Sequence, residues 1–388
     1  MLNNSYVPNP LGPPGRPLGP SNRRSAMKVV LAMFACLTAL LLGLLVLLLI
    51  GVETGPAGLI VGMVVASLPV PFYVMLILWI DRYESEPLWM LATAFFWGAL
   101  VAVFIAFILN TAGGIFVTIA TNDKNAGAAF AAVISAPIVE ETAKALILLI
   151  FFFWKKDEYD GILDGIVYAG MVGLGFAMTE NIQYYGKAVL QGGVDDLTAT
   201  FIIRGTIAPF SHPLFTSMTG IGLGWARQSR HGAIKLIAPL AGLMLAMLLH
   251  AAWNGSAVIF GGLGLLVIYL IVMVPVLIAT LMAVYFGWRR EGNVVREHLY
   301  PDYQRGMFSP QDYERLCSVR GRMGSSMSAL TSRGYRAWRD RMLYNQIASE
   351  LAFHRSRTAR GIFTSEQSAR EREAAYLQTL HELGRRLQ

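Results

Sequence analysis

Long apolar runs separated by short polar stretches fill the first three quarters of the chain. Each run reaches about 20 residues or more, which is enough to cross roughly 30 Å of hydrocarbon at 1.5 Å per residue in a helix. The pattern predicts an all-α fold, a polytopic membrane helical bundle with about eight transmembrane helices. The runs are residues 28 to 50, 57 to 80, 88 to 112, 128 to 153, 162 to 186, 200 to 226, 235 to 257 and 262 to 288.

Composition supports this class and divides the chain into three parts. Of 388 residues, 55% are hydrophobic and only 15% are charged, which is atypical of a soluble domain. Residues 1 to 27 are rich in Pro and Gly and predict a disordered arm, followed by a multi-span domain over residues 28 to 288. Residues 289 to 388 contain many Arg but no Lys, and their apolar spacing predicts a helical cytoplasmic tail.

The basic residues also predict an orientation. Lys and Arg gather in alternate loops, and the positive-inside rule then places both termini in the cytoplasm. The tail would face the anionic inner leaflet or a cytoplasmic partner. Nucleic acid is not expected, because no binding motif accompanies the arginines. The residues that set the orientation are Arg23, Arg24, Lys28, Arg82, Lys155, Lys156, Arg227, Arg230, Lys235, Arg289 and Arg290.

Several predicted spans contain ionisable or amide side chains. One charge at the bilayer centre costs about 2.5 to 3.5 kcal/mol on insertion scales, so such residues are normally paired, directed inward and functional. Counted from the predicted outer ends, the carboxylates and imidazoles among them lie roughly 9 to 18 Å deep, so they can share one site in the outer half. The residues are Glu140, Glu141, Lys144, Glu180, Asn181, Arg204, His212, His250 and Asn254.

Two glutamates and two histidines at one depth suit hydrolysis by activated water. Two imidazoles and a carboxylate can form a three-ligand zinc site with an open position, and another Glu can accept the proton of the bound water. The metal-free alternative is a Glu, held by His, that activates water directly. Outside hydrolysis, a proton- or ion-coupled carrier can use the same carboxylates, and a membrane scaffold that recruits a partner through its tail is a third interpretation.

Four motifs follow one another on successive predicted spans: EETAK at 140 to 144, GFAMTEN at 175 to 181, the segment around His212 at 204 to 224, and HAAWN at 250 to 254. Together they resemble the PrsW family of bacterial intramembrane proteases. The acidic loop DRYESEP at 81 to 87 is also similar, and the resemblance covers roughly residues 60 to 258. The related CAAX prenyl-endopeptidase and bacteriocin-processing group has FxxxH in the second motif, whereas Phe176 is followed here by Glu180.

The resemblance implies a peptidase in the bacterial cell membrane that cuts a single-pass, anti-sigma-factor-like protein embedded in the lipid bilayer. The resemblance also implies roles for the site residues. Glu140 and Glu141 would include the base that activates water, with Glu180, Asn181 and Asn254 as supporting polar groups. His212, His250 and Glu180 would be the metal ligands, and Zn²⁺ is the expected cofactor. The catalytic set is therefore Glu140, Glu141, Glu180 and Asn254.

Overall fold

The computed structural model describes residues 23 to 361 and 366 to 387, so most of the predicted N-terminal arm lies outside the described residues. The described residues form helices and no β-strand, which confirms the all-α class. The helices are α1 (Arg23–Ser67), α2 (Val70–Ile80), α3 (Leu88–Phe96), α4 (Val103–Thr121), α5 (Lys124–Phe130), α6 (Ala136–Trp154), α7 (Ile162–Phe201), α8 (Ser211–Gln228), α9 (Gly232–Ile268), α10 (Val274–Gln304), α11 (Pro310–Leu316), α12 (Val319–Ala359) and α13 (Glu366–Leu387).

Three glycines interrupt the longest apolar helices. Gly55 in α1, Gly193 in α7 and Gly261 in α9 have φ values of 67°, 65° and 61°. This left-handed region is unfavourable for other residues but open to glycine. Each of the three lies between two of the predicted apolar runs, so the breaks agree with the predicted segmentation. The number of membrane crossings, about eight, stays a prediction.

The apolar helices define a multi-pass membrane protein. Four stretches of the described chain are long and apolar enough to cross a membrane by length and composition: Val29–Ile80, Leu88–Thr121, Ile162–Gln228 and Gly232–Gln304. On α1, side chains four positions apart, Leu40, Leu44 and Leu48, are 61%, 64% and 61% exposed. An apolar stripe left uncovered in this way suits contact with lipid.

The chain divides into two compact units. The bundle contains Met27–Ile80 and Leu88–Val284, and the second unit, called the tail unit below, contains the described residues from Tyr285 onwards together with the loop Asp81–Pro87. This loop, which joins α2 to α3, is the DRYESEP segment. It packs into the tail unit across a long sequence separation.

Tyr83 anchors that loop in the tail unit. Its side chain is only 1% exposed and lies under the guanidinium of Arg322, 4.6 Å from the ring centre. Burial raises the pKa of Tyr83 to about 12, so the phenol is neutral at physiological pH. Arg322 also donates to the carbonyl of Arg82 at 3.1 Å, and Arg357 forms an ion pair with Glu84.

Within the bundle, glycines allow α7 and α8 to approach closely. A Cβ atom added at Gly220 would lie 2.0 Å from the carbonyl oxygen of Gly165, and one added at Gly224 would lie 2.3 Å from that of Gly161. Gly220 and Gly224 are four residues apart, and small residues at this spacing let helix backbones meet. The structure shows that contact. It fixes α8, and therefore His212, against α7.

We expect Gly220→Ala to destabilise the bundle by about 1 to 3 kcal/mol, the usual range for overpacking a tight contact. Gly232→Ala is the matched control, because a Cβ atom there has nothing within 4 Å. Thermal unfolding in detergent, followed by tryptophan fluorescence, measures both variants. Equal midpoints for Gly220→Ala and wild type would contradict the close α7 and α8 contact.

Candidate active site

Polar residues from four helices meet inside the bundle. Helix α6 follows a π-helical segment, Ala131–Ser135, and contributes Glu140, Glu141 and Lys144. Helices α7, α8 and α9 contribute Glu180, His212 and His250, and a second π-helical segment, Ile202–Ile207, contributes Arg204. The structure thus brings together the residues that the sequence had placed at one depth.

Lys144 lies at the centre of this cluster and is 0% exposed. Its Nζ is 2.8 Å from Glu141 Oε1, 3.5 Å from Glu140 Oε2 and 3.0 Å from His212 Nδ1. The ammonium also lies 3.8 Å from the centre of the Phe176 ring. One buried cation therefore neutralises part of the charge of two neighbouring carboxylates, as a charge pair inside a membrane protein requires.

The carboxylate of Glu141 is buried and contacts three side chains. It is 1% exposed, and besides Lys144 it accepts a hydrogen bond from Thr216 Oγ1 at 3.0 Å. Its Oε1 also lies 3.1 Å from His250 Nδ1. A carboxylate with these partners orients His250 and Lys144, and it has little capacity left for a substrate.

Glu140 has looser contacts. Its Oε1 accepts from Asn110 Nδ2 at 3.3 Å, and Asn110 in turn accepts from Ser135 Oγ at 2.8 Å. Its Oε2 lies 3.9 Å from His250 Nε2. Because a carboxylate only accepts, Nδ1 of a neutral His250 donates to Glu141, which leaves the lone pair of Nε2 facing Glu140.

Glu180 forms a second charged group with Arg204 and His212. Its Oε2 is 2.5 Å from Arg204 Nη2 and 2.8 Å from His212 Nε2. An ammonium only donates, so Lys144 makes His212 Nδ1 the acceptor and leaves the ring proton on Nε2, directed at Glu180. The carboxylate of Glu180 thereby orients His212.

Two predicted supporting residues lie beside the cluster. Asn181 accepts from Arg204 Nε at 2.7 Å and holds the arginine against Glu180. Asn254 donates to the carbonyl oxygen of Ala132 at 2.9 Å, so it ties α9 to the π-helical segment before Glu140. Neither amide is hydrogen-bonded to Glu140 or Glu141 in this structure.

A cavity of about 610 Å³ lies next to the cluster. Most of its wall is apolar, and polar side chains from Asn110, Glu140, Glu180, Arg204 and Asn254 reach it. Of the buried residues at the centre, Glu140 lines the cavity, whereas Glu141, Lys144, His212 and His250 do not. An apolar cleft with a few convergent polar groups is typical of a ligand or substrate site.

The donor set fits a metal ion. Glu140, His212 and His250 each present one ligand atom, and these atoms all lie within 4.8 Å of one another. Imidazole and carboxylate are ligands that suit zinc. At His212 the available lone pair is that of Nδ1, which accepts from Lys144 in this structure, so a metal ion would take the place of that hydrogen bond. Glu180, the carboxylate expected as third ligand, instead pairs with Arg204. The geometry favours Glu140 in its place.

Sequence reasoning missed two contributors and gave a third no role. Lys144 was placed in the polar cluster and in the EETAK motif, but its contacts with both carboxylates and His212 were not predicted. Asn110 is an amide in an apolar run, a signal that could have been used. Thr216 lies four residues after His212, hence on the same face of α8, and this spacing was the available indication.

The fold and site together define a polytopic helical membrane protein with a buried Glu and His cluster beside an apolar cleft. Residues 86 to 280, half of the chain, match the family described as "PrsW family intramembrane metalloprotease". The chain belongs to this family, which confirms the predicted resemblance and supports the predicted class of enzyme, a peptidase. No solved structure matches the chain.

Several relatives are named "Protease PrsW", and three of them show the extent of the similarity. The protein of Geobacillus kaustophilus (strain HTA426) is 35% identical over 150 residues, which are 38% of this chain and 58% of the relative. The Bacillus subtilis (strain 168) protein is 31% identical over 180 residues, 45% of this chain and 72% of the relative. The Oceanobacillus iheyensis protein is 30% identical over 171 residues, 44% of this chain and 71% of the relative.

Proposed function

We propose that the chain is an intramembrane endopeptidase and that peptide hydrolysis takes place at Glu140. The observation that carries this proposal is the position of Glu140. It belongs to the Glu, His, His group, and it lines the apolar cavity. A peptide bond that enters the cavity would meet this carboxylate before any other member of the group.

Glu140, His212 and His250 are the residues that would hold a metal ion. Zinc, when bound, lowers the pKa of a bound water and polarises a carbonyl. In the metal-free alternative, Glu140 itself accepts the proton of the attacking water. Glu140 would therefore be a ligand in the zinc form and the proton acceptor in the metal-free form. The pairing of Glu180 with Arg204 leaves Glu180 to orient His212 in both.

The remaining residues fix the geometry of the reaction. Glu141 holds His250 through Nδ1, and Glu180 holds His212 through Nε2. Each imidazole therefore keeps one defined tautomer and ring orientation, as second-sphere carboxylates commonly ensure. Asn254 fixes the carbonyl of Ala132 and with it the π-helical segment that precedes Glu140. Its role is to position this segment.

The cavity and the family support the proposed substrate class. A mostly apolar cleft inside a membrane protein suits a membrane-embedded peptide, and we propose a single-pass regulatory protein of the anti-sigma-factor kind. Cleavage in the outer half of the bilayer agrees with the depth of Glu140 counted from the predicted span. This topology, with both termini in the cytoplasm, is part of the proposal.

The proposal is tested with purified protein in detergent, mixed with single-pass membrane proteins in water enriched in ¹⁸O. We expect new peptide ends within or beside the spanning segment, with ¹⁸O in the new carboxyl terminus, as detected by mass spectrometry. Incorporation of this label demonstrates hydrolysis. Intact substrates, together with solute or proton flux in proteoliposomes that depends on Glu140, would favour the carrier instead.

Metal content is a separate prediction. We expect about one zinc per purified chain and a large loss of bound zinc in His250→Ala, because one of three protein ligands is removed. His231→Ala, at an exposed position before α9, is the control and should keep its metal. Elemental analysis measures both. Full activity in a metal-free wild type would rule out the zinc form and leave water activation by Glu140.

A further inference from the structure

A groove in the tail unit has the chemistry of a site for proline-rich peptides. It encloses about 540 Å³, and the residues that define this tyrosine groove are Glu297, Tyr300, Tyr303, Tyr313 and Glu314. The rings of Tyr303 and Tyr313 stack with centres 4.6 Å apart and planes 11° apart. The Tyr300 ring is 6.1 Å and 6.3 Å from these two, and its side chain is 47% exposed.

The tyrosine groove is preformed by contacts within the tail unit. Tyr313 donates its hydroxyl hydrogen to the carbonyl of Arg296 at 2.7 Å, which joins α11 to α10. Arg296 also forms two parallel hydrogen bonds to Glu314, both 2.8 Å long. Bidentate pairing of this kind fixes side-chain orientation. The aromatic faces therefore keep their positions, and little ordering is needed on binding.

Flat aromatic faces with a neighbouring acid select a particular ligand. Proline rings dock on exposed aromatic side chains, and a polyproline II segment loses little entropy when it binds because it is already extended. Tyr300 presents such a face next to the stacked pair. Glu297, exposed on the same wall, suits a basic residue within the ligand.

We propose that the tyrosine groove binds the proline-rich arm of the same chain, residues 8 to 20. This segment, PNPLGPPGRPLGP, holds six prolines, which include three PxxP spacings, and Arg16 lies inside it. The predicted topology puts the arm and the tail unit on one side of the membrane. At about 3.1 Å per residue, residues 1 to 22 in extended polyproline form reach roughly 70 Å.

The test uses the full chain in detergent and a labelled peptide of residues 8 to 20. In wild type, the chain's own arm competes at an effective concentration on the order of millimolar. A full chain with Pro10, Pro13, Pro14 and Pro17 replaced by Ala has a weakened competitor. Fluorescence anisotropy should then show that this arm-replaced chain binds the peptide at least ten times more tightly than wild type does.

Variants of the groove identify the site. In the arm-replaced chain, Tyr300→Ala should lower the affinity at least tenfold, and Glu297→Lys should also weaken binding by repelling Arg16. Tyr335→Ala is the matched control, since this tyrosine is 66% exposed elsewhere in the tail unit, and it should leave the affinity unchanged.

Two results would overturn the proposal. Equal peptide affinity for the wild-type and arm-replaced chains would mean that the arm does not occupy the groove, and a proline-rich partner protein would then be the better candidate. Unchanged affinity in both Tyr300→Ala and Glu297→Lys would place the peptide elsewhere. Neither measurement depends on peptidase activity.

Discussion

Glu140→Gln is expected to abolish cleavage while the protein still inserts and folds. A glutamine retains the size of the side chain and can still accept a hydrogen bond from Asn110. It is uncharged, so it cannot take a proton from water in the metal-free form and would be a weaker ligand in the zinc form. Loss of a positioned acid or base typically lowers the rate by 10² to 10⁴, and we expect a decrease in kcat/KM on the order of 10³ or more.

The measurement compares initial rates of appearance of new peptide ends at equal protein concentration. Glu53→Gln is the control, because Glu53 is a half-exposed carboxylate of the same unit that pairs with Lys187. Its rate should match wild type. A normal rate in Glu140→Gln would remove the centre of the proposed mechanism.

Glu141→Gln separates positioning from chemistry. We expect it to abolish cleavage too, but with a lower unfolding temperature, since Lys144 and His250 lose a charged acceptor. Glu140→Gln should keep a midpoint near that of wild type. If both variants had the same midpoint and the same rate, the assignment of chemistry to Glu140 and of positioning to Glu141 would be wrong.

Lys144→Met is expected to cause the largest loss of stability. The ammonium is fully buried between two carboxylates, and removing one partner of a buried charge pair typically costs about 3 to 5 kcal/mol because the other charges stay buried without compensation. Removal of the charged acceptor as well, in Glu141→Gln with Lys144→Met, should recover part of that loss. Thermal unfolding of the two single variants and the double variant gives the coupling.

Lys187→Met is the control, because it removes an exposed ion pair instead of a buried one. Lys187 pairs with Glu53 at 2.7 Å, but both side chains are more than a third exposed, so the pair should contribute no more than about 1 kcal/mol. We expect its midpoint to stay close to that of wild type. Equal destabilisation by Lys144→Met and Lys187→Met would show that water reaches the Lys144 ammonium despite its burial.

Much of this site could be predicted from sequence because apolar spans make polar residues conspicuous. Glu140, His212 and His250 were found by the cost of placing them in lipid. Depth along a helix can be counted at 1.5 Å per residue, but rotation about the helix axis cannot be known when π-helical turns shift the register. Such a turn, Ala131–Ser135, directly precedes α6.

That shift explains which assignments needed the structure. Residues before and after a π-helical turn no longer follow the 3.6-residue spacing, so the sequence could not decide whether Glu140 or Glu141 faces the cavity. The pairing of Glu180 with Arg204 crosses 24 positions and two elements. No local pattern encodes such a contact. The glycine breaks, in contrast, lay between apolar runs and were readable from local sequence.

The packing of the DRYESEP loop into the tail unit has a consequence for biosynthesis. Arg322 and Arg357 are separated by 240 and 273 residues from the loop residues they contact. At about 5 to 20 residues per second, a ribosome needs roughly 10 to 60 s to add that length. The Tyr83 ring therefore stays without its Arg322 contact until that part of the chain has been synthesised. A chain released before Arg322 lacks the guanidinium that covers the Tyr83 ring, so truncation of the tail unit would expose this aromatic residue.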